Sequence, residues 1–126
     1  MVDKITLGRK GEDSAVLFLE QHGYRIVERN FRTRLGEIDI IARDGKTICF
    51  IEVKTRASVH LGTPFEAVTR SKQLKISQMA LLYLKSKNLM RLPARFDVIA
   101  IINNDQGQSS VGIVKNAFEL PDVYLY

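Results

Sequence analysis

The chain has 126 residues, 19 Lys and Arg against 14 Asp and Glu, a formal charge of +5 and a hydrophobic fraction of 45%. That length suits one compact domain with a real core, and the composition excludes a disordered tail, a collagen-like chain and a disulfide scaffold. The lone Cys49 can neither pair within the chain nor build a zinc cage, and no apolar run approaches the roughly 18 residues of a membrane span. A cytoplasmic protein without a membrane partner is therefore expected, and its modest excess of positive charge is compatible with a polyanionic ligand.

Helical spacing appears first over Gly8–His22, where Ala15, Val16, Phe18 and Leu19 form an apolar stripe closed by Gly23. Tyr24–Thr33 reads as a strand with Tyr24, Ile26 and Phe31 inward, carrying Arg25, Arg29 and Arg32 with Arg34 just beyond. Two alternating runs follow, Glu37–Arg43 and Lys46–Thr55, joined by Asp44-Gly45, a dipeptide that strongly favours a hairpin. Residues 57–68 contain Gly62 and Pro64 without a clear period and read as loop. Ser71 can cap a helix to about Ser86, with Leu74, Ile76, Met79, Ala80, Tyr83 and Leu84 on its buried face. Arg95–Ile102 is a strongly apolar strand ending in an Asn103-Asn104-Asp105 turn, a last strand runs from about Ser110 to Leu120, and residues 121–126 form a tail. The order α-β-β-β-α-β-β predicts an α/β fold with a mixed five-stranded sheet flanked by helices.

The hairpin concentrates the chemistry. With Asp44-Gly45 as a two-residue turn, Arg43 lies opposite Lys46, Asp39 opposite Phe50 and Glu37 opposite Glu52. Paired residues point the same way, so Glu37, Asp39, Glu52 and Lys54 are expected on one face. Asp39 and Glu52 become diagonal neighbours, about 7–8 Å apart at their backbones. Carboxylates crowded on an apolar sheet repel one another and resist desolvation, a conflict that a divalent cation resolves. Oxygen ligands without a nearby His/Cys set favour Mg²⁺ or Mn²⁺. Lys54, about 6.6 Å along the strand from Glu52, can hold an anion or a water beside the metal, a combination suited to phosphodiester hydrolysis.

Four ordered blocks carry a resemblance: Gly8-Arg-Lys-Gly-Glu12, Gly36-Glu-Ile-Asp39, Phe50-Ile-Glu-Val-Lys-Thr55 and Arg95-Phe-Asp-Val98. Together they resemble the YraN-like family of predicted endonucleases, within the PD-(D/E)xK nuclease superfamily and related to archaeal Holliday-junction resolvases. Ile38 stands where the superfamily motif has its proline. The resemblance implies a restriction-endonuclease-like fold over the chain as a single nuclease-like domain, with Mg²⁺ or Mn²⁺ held by Asp39, Glu52 and the backbone carbonyl of Val53. It further implies that Lys54 assists the attacking water and that Glu12 is a helix-borne catalytic acid. Glu37 itself reads as a supporting carboxylate or as simply exposed.

Glu12 also has independent support, since it shares a helical face with Ala15, Val16 and Leu19; a first-turn carboxylate favoured by the helix dipole is the alternative. Glu52 and Lys54 could be a simple edge-strand ion pair, which leaves the gathering of Glu37 and Asp39 unexplained. Arg70, Lys72 and Lys75 crowd the start of the second helix, where the dipole disfavours cations, and with Gln73 they suit phosphate or form only a solvated turn. Arg32, Arg34 and Arg56 are further candidates for tracking a phosphate backbone. Asp97 reads as a satisfied structural carboxylate, His60 as a surface residue and Cys49 as core. The expected partner is nucleic acid, DNA and branched or structured DNA in particular, cut by a homodimer in the resolvase manner. The alternative is a non-catalytic nucleic-acid-binding module on the same fold.

Overall fold

The computed structural model describes residues 4–56, 69–103 and 108–119, with side chains from residue 11 onward. The first helix, α1 (Lys4–Gln21), ends where Gly23 takes φ +86. There Tyr24 N–H donates to Leu19 O at 2.9 Å and Gly23 N–H to Glu20 O at 3.2 Å, so the last carbonyls are capped by a left-handed glycine. Strands β1 (Arg25–Thr33), β2 (Gly36–Asp44) and β3 (Thr47–Arg56) follow. Helix α2 (Arg70–Ser86) then leads to β4 (Ala94–Asn103) and β5 (Ser109–Phe118). The expected order of elements is the observed one.

The strands form one sheet in the order β1-β2-β3-β4-β5. The β3–β4 pair is parallel, because α2 lies in the connection between them, and the other pairs are antiparallel. Alternation along β3 sorts the core into two layers. Cys49 and Ile51 face Ala15 and Leu19 of α1, together with Ile40, Ala42, Ile99 and Ile101. Ile48 and Phe50 face Ile76, Met79, Ala80 and Tyr83 of α2, together with Ile38, Ile41 and Phe96. Cys49 is fully buried, and burial pushes its thiol up to about 12, which suits a core residue.

Two local expectations need correction. The cap of α2 is Thr69, whose Oγ1 accepts from Lys72 N at 3.2 Å, and not Ser71. The hairpin pairs Asp44 with Thr47 and Arg43 with Ile48, so its central residues are Gly45 and Lys46. Gly45 has φ +63 and Lys46 has no positive φ, the pattern of a turn with glycine first, whereas Asp44 stays in the ladder. Moving a two-residue turn by one position shifts the pairing by two, so β3 keeps its expected faces although every cross-strand partner changes. The reading of residues 57–68 as loop, of residues 104 and 105 as turn and of 121–126 as tail lies outside the described residues, as does His60.

Asp97, with a fully buried side chain, is satisfied as expected. It accepts from Arg95 Nε at 3.0 and 3.1 Å and from Asn116 N–H at 2.9 Å, at the irregularity in the β4–β5 pairing. Arg95 also donates to Tyr24 Oη at 2.8 Å and to Asp44 Oδ2 at 2.9 Å, tying β4 to β2 and to the exit of α1. No helix among the described residues is long and apolar enough to cross a membrane.

Candidate metal and phosphate site

The site begins where two strands part. Regular β2–β3 pairing runs from the turn to Ile40↔Ile51 and stops there. Beyond that point β2 continues against β1, down to Gly36, while β3 continues against β4, up to Arg56. Asp39 and Glu37 lie on one arm of this fork, and Glu52, Val53 and Lys54 on the other. Asp39 bridges the arms, its Oδ2 accepting the Val53 N–H at 2.8 Å in place of a ladder carbonyl. Strand alternation fails at the same place: Ile38 packs in the α2 layer and Ile40, two residues on, in the α1 layer. Asn30 on the neighbouring strand has φ +56, a conformation uncommon outside glycine and frequent beside functional sites.

This geometry changes the expected grouping of the acids. Glu12, Glu37 and Asp39 come together, with one carboxylate oxygen from each within 4.8 Å of the others. Glu12 reaches the group from α1 and is steadied by Arg29, whose Nη2 lies 3.8 Å from it and 2.7 Å from Asp13. Glu37 is 3.3 Å from Arg32 Nε. The amide orientation that satisfies both ends of Asn30 lets its nitrogen donate to Glu12 Oε2 at 3.1 Å and to Glu37 Oε1. Glu52 is not part of this group. It shares the parity of Ile48 and Phe50 and so turns to the α2 side, where Lys72 Nζ donates to its Oε1 and Lys54 Nζ stands 3.5 Å from the same oxygen. Of the four charged residues expected on one face, Glu37 therefore groups with Asp39 and Glu12, while Glu52 and Lys54 turn to the α2 side, because the sheet is split where they sit.

The electrostatics follow from that crowding. Burial raises the Asp39 carboxyl to about 7, and the Glu52, Glu12 and Glu37 charges act in the same direction against the Val53 hydrogen bond. Glu12 is likewise raised, by burial first and then by Glu37. Lys54 is lowered by burial and by the Lys72 ammonium beside it, whereas Glu52 holds Lys72 up against the opposing effect of burial. Clustered carboxylate oxygens fit a hard divalent cation such as Mg²⁺ or Mn²⁺.

The basic candidates fall into separate places. Lys72, Lys75, Thr69 and Ser71 line a cleft of about 320 Å³ between the start of α2 and the β1–β2 turn, with Gly36 and Glu37 on its other wall. Arg34 is exposed in that turn, and Arg32 is occupied by Glu37. Arg56 and Arg70 are exposed, Arg56 donating to the Thr55 carbonyl at 3.0 Å, and Gln73 is half-buried on α2. Sequence reasoning missed Asn30, because nothing in local patterning marks a strand asparagine for a positive φ. It also missed Gly11, where a Cβ would collide with Thr55 Oγ1. That glycine allows α1 to approach β3 closely and sets Glu12 at the fork.

Comparison with known proteins gives a consistent family assignment. The profile of an uncharacterised protein family, UPF0102, matches residues 11–101. A UPF0102 protein of Geotalea uraniireducens is 52% identical over 118 residues, covering 94% of this chain and 93% of the relative. One from Geobacter metallireducens is 55% identical over 115 residues, covering 91% and 93%. A third, from Caldicellulosiruptor saccharolyticus, is 42% identical over 118 residues, covering 93% of this chain and all of the relative.

Proposed function

The chain belongs to the UPF0102 (YraN-like) family, and from that premise and the geometry of the fork we propose that it is a metal-dependent endonuclease-like protein of the PD-(D/E)xK superfamily. Its fold would be restriction-endonuclease-like and its substrate DNA, branched or otherwise structured DNA in particular, cut by a homodimer. The observation that carries this reading is Asp39 bridging the parted strands β2 and β3, with acids converging on it from α1, β2 and β3.

In this reading Asp39, Glu52 and the Val53 carbonyl would hold Mg²⁺ or Mn²⁺, with Glu12 and Glu37 completing the negative surround. When bound, such an ion would supply Lewis-acid polarisation of the phosphate. Lys54 would orient the attacking water and steady charge developing on the phosphate, a role supported by its position beside Glu52 and by the lowering of its proton affinity through burial. Attack joins the water oxygen to phosphorus, with loss of one water proton, and breaks the bond to the leaving deoxyribose oxygen, which takes up a proton. Lys75, Arg34 and Arg70 are exposed cations available to the strand around the scissile phosphate.

Purified protein incubated with duplex, single-stranded and four-way-junction DNA and Mn²⁺ tests the proposal. Cleavage is expected in the wild type and a loss of about 100-fold or more in Glu52→Ala and Lys54→Ala. Cleavage unchanged in both variants would sink the site assignment. Salt-sensitive binding without cleavage under either metal would instead select a non-catalytic nucleic-acid-binding module. Light scattering that shows only monomers at assay concentration would count against symmetric junction cutting.

A further inference from the structure

Lys72 looks from the sequence like one more phosphate-binding cation at the start of a helix. The structure gives it a different occupation, because its Nζ donates to Glu52 Oε1, the oxygen that Lys54 also approaches. We propose that Lys72 is an exchangeable counter-ion, which neutralises Glu52 while the carboxylates hold no divalent cation and moves to a nucleic-acid phosphate in the adjoining cleft when a cation takes its place. The inference rests on the metal-dependent reading above and adds to it an order in which charges are exchanged.

The two lysines are not equivalent. Lys54 is on the same strand as Glu52 with its side chain only 12% exposed, so packing on β3 confines it. Lys72 reaches across from α2 and is 39% exposed. Glu52 itself is 11% exposed, so its charge needs a partner at all times. A divalent ion on that carboxylate would face two ammonium groups at close range, and the more exposed one, on the separate element, is the one free to leave. Its destination is already formed, since Lys72 also lines the cleft with Thr69, Ser71 and Lys75. The same side chain thus borders the carboxylate it neutralises and the cleft a phosphate would enter. Competition between Lys72 and the cation for Glu52 makes phosphate and cation binding mutually reinforcing, as linkage requires.

Mn²⁺ titration without nucleic acid, on the full chain and on Lys72→Met, Lys72→Arg and Glu52→Gln, tests the exchange. Lys72→Met is expected to bind Mn²⁺ about fivefold or more tighter than wild type. Lys72→Arg, whose guanidinium grips a carboxylate more firmly, is expected to bind it more weakly. Binding of uncleaved duplex DNA in Ca²⁺ should fall in Lys72→Met by a similar factor. If Mn²⁺ affinity in Lys72→Met is unchanged or weaker while Glu52→Gln abolishes it, the exchange is overturned and the metal reading stands. If no variant binds Mn²⁺, wild type included, both are overturned. Should Lys72→Met fail to fold, Lys72→Gln carries the same comparison.

Discussion

Asp39 shows how one side chain records the conflict at the fork. An unfolded Asp titrates near 3.8, whereas folded Asp39 titrates at about 7, chiefly because burial disfavours its charge. Between those values the native state keeps a proton that the unfolded chain has lost. The stability Asp39 contributes is therefore complete below about 3.8 and is lost as pH rises towards 7. In Asp39→Asn the side-chain amide oxygen can still accept the Val53 N–H, and there is no charge to desolvate. Urea unfolding in EDTA should find Asp39→Asn more stable than wild type by about 4 kcal/mol at pH 8, with the two converging near pH 4. Equal stability at both pH values would mean that Asp39 ionises as an ordinary surface carboxylate. The identity of Asp39, Glu52 and Lys54 as candidates was legible in the residues alone, because hydrophobic alternation makes charged positions in a strand stand out. That Asp39 spends an oxygen on the Val53 backbone was not legible, since it depends on β2 and β3 separating.

At the scale of elements, the close approach of α1 to β3 rests on Gly11. A methyl group there meets Thr55 Oγ1, so Gly11→Ala must move the helix or turn the threonine. Overpacking of this kind costs about 1–3 kcal/mol. It should also displace Glu12 from Glu37 and Asp39, so stability to chemical denaturation and Mn²⁺ affinity are both expected to fall. Thr55→Ala in the Gly11→Ala background removes the obstructing oxygen and should recover most of both losses; simple additivity of the two substitutions would show that the contact is not responsible. The hairpin offers a second lesson at this scale. Alternation located both strands and the turn to within one residue, and that error preserved the faces of β3 because it moved the register by an even number. It failed for Glu37 and Asp39, where the parting of the strands interrupts the period that the face argument assumed.

Across the whole molecule, the Arg95 network runs from Asp44 at the turn end of the β2–β3 pair back to Asp97, which lies beside Ile51 where that pairing stops. Arg95 joins Asp97, Asp44 and Tyr24, so a single guanidinium links β4, β2 and the exit of α1. Asp97→Ala would leave Asn116 N–H without its acceptor and Arg95 without the carboxylate that its Nε grips. A loss of about 3–5 kcal/mol is expected from thermal or urea unfolding, with Mn²⁺ affinity at low temperature unchanged because the hydrogen bonds of the network go to Asp97, Asp44, Tyr24 and Asn116 and not to the acids at the fork. A fall in affinity equal to that of Glu52→Gln in a variant that is still folded would show the network and the site to be coupled. By itself the sequence determined the order and type of the elements, the two-sided core and the residue types at the site, because 3.6- and 2-residue periods and turn chemistry are local. Tertiary structure alone decided which carboxylates meet, that Asn30 joins them and that Lys72 reaches Glu52. Each of those depends on where separate elements are brought together and on the point at which two paired strands part, and neither is encoded in the spacing of residues along one segment.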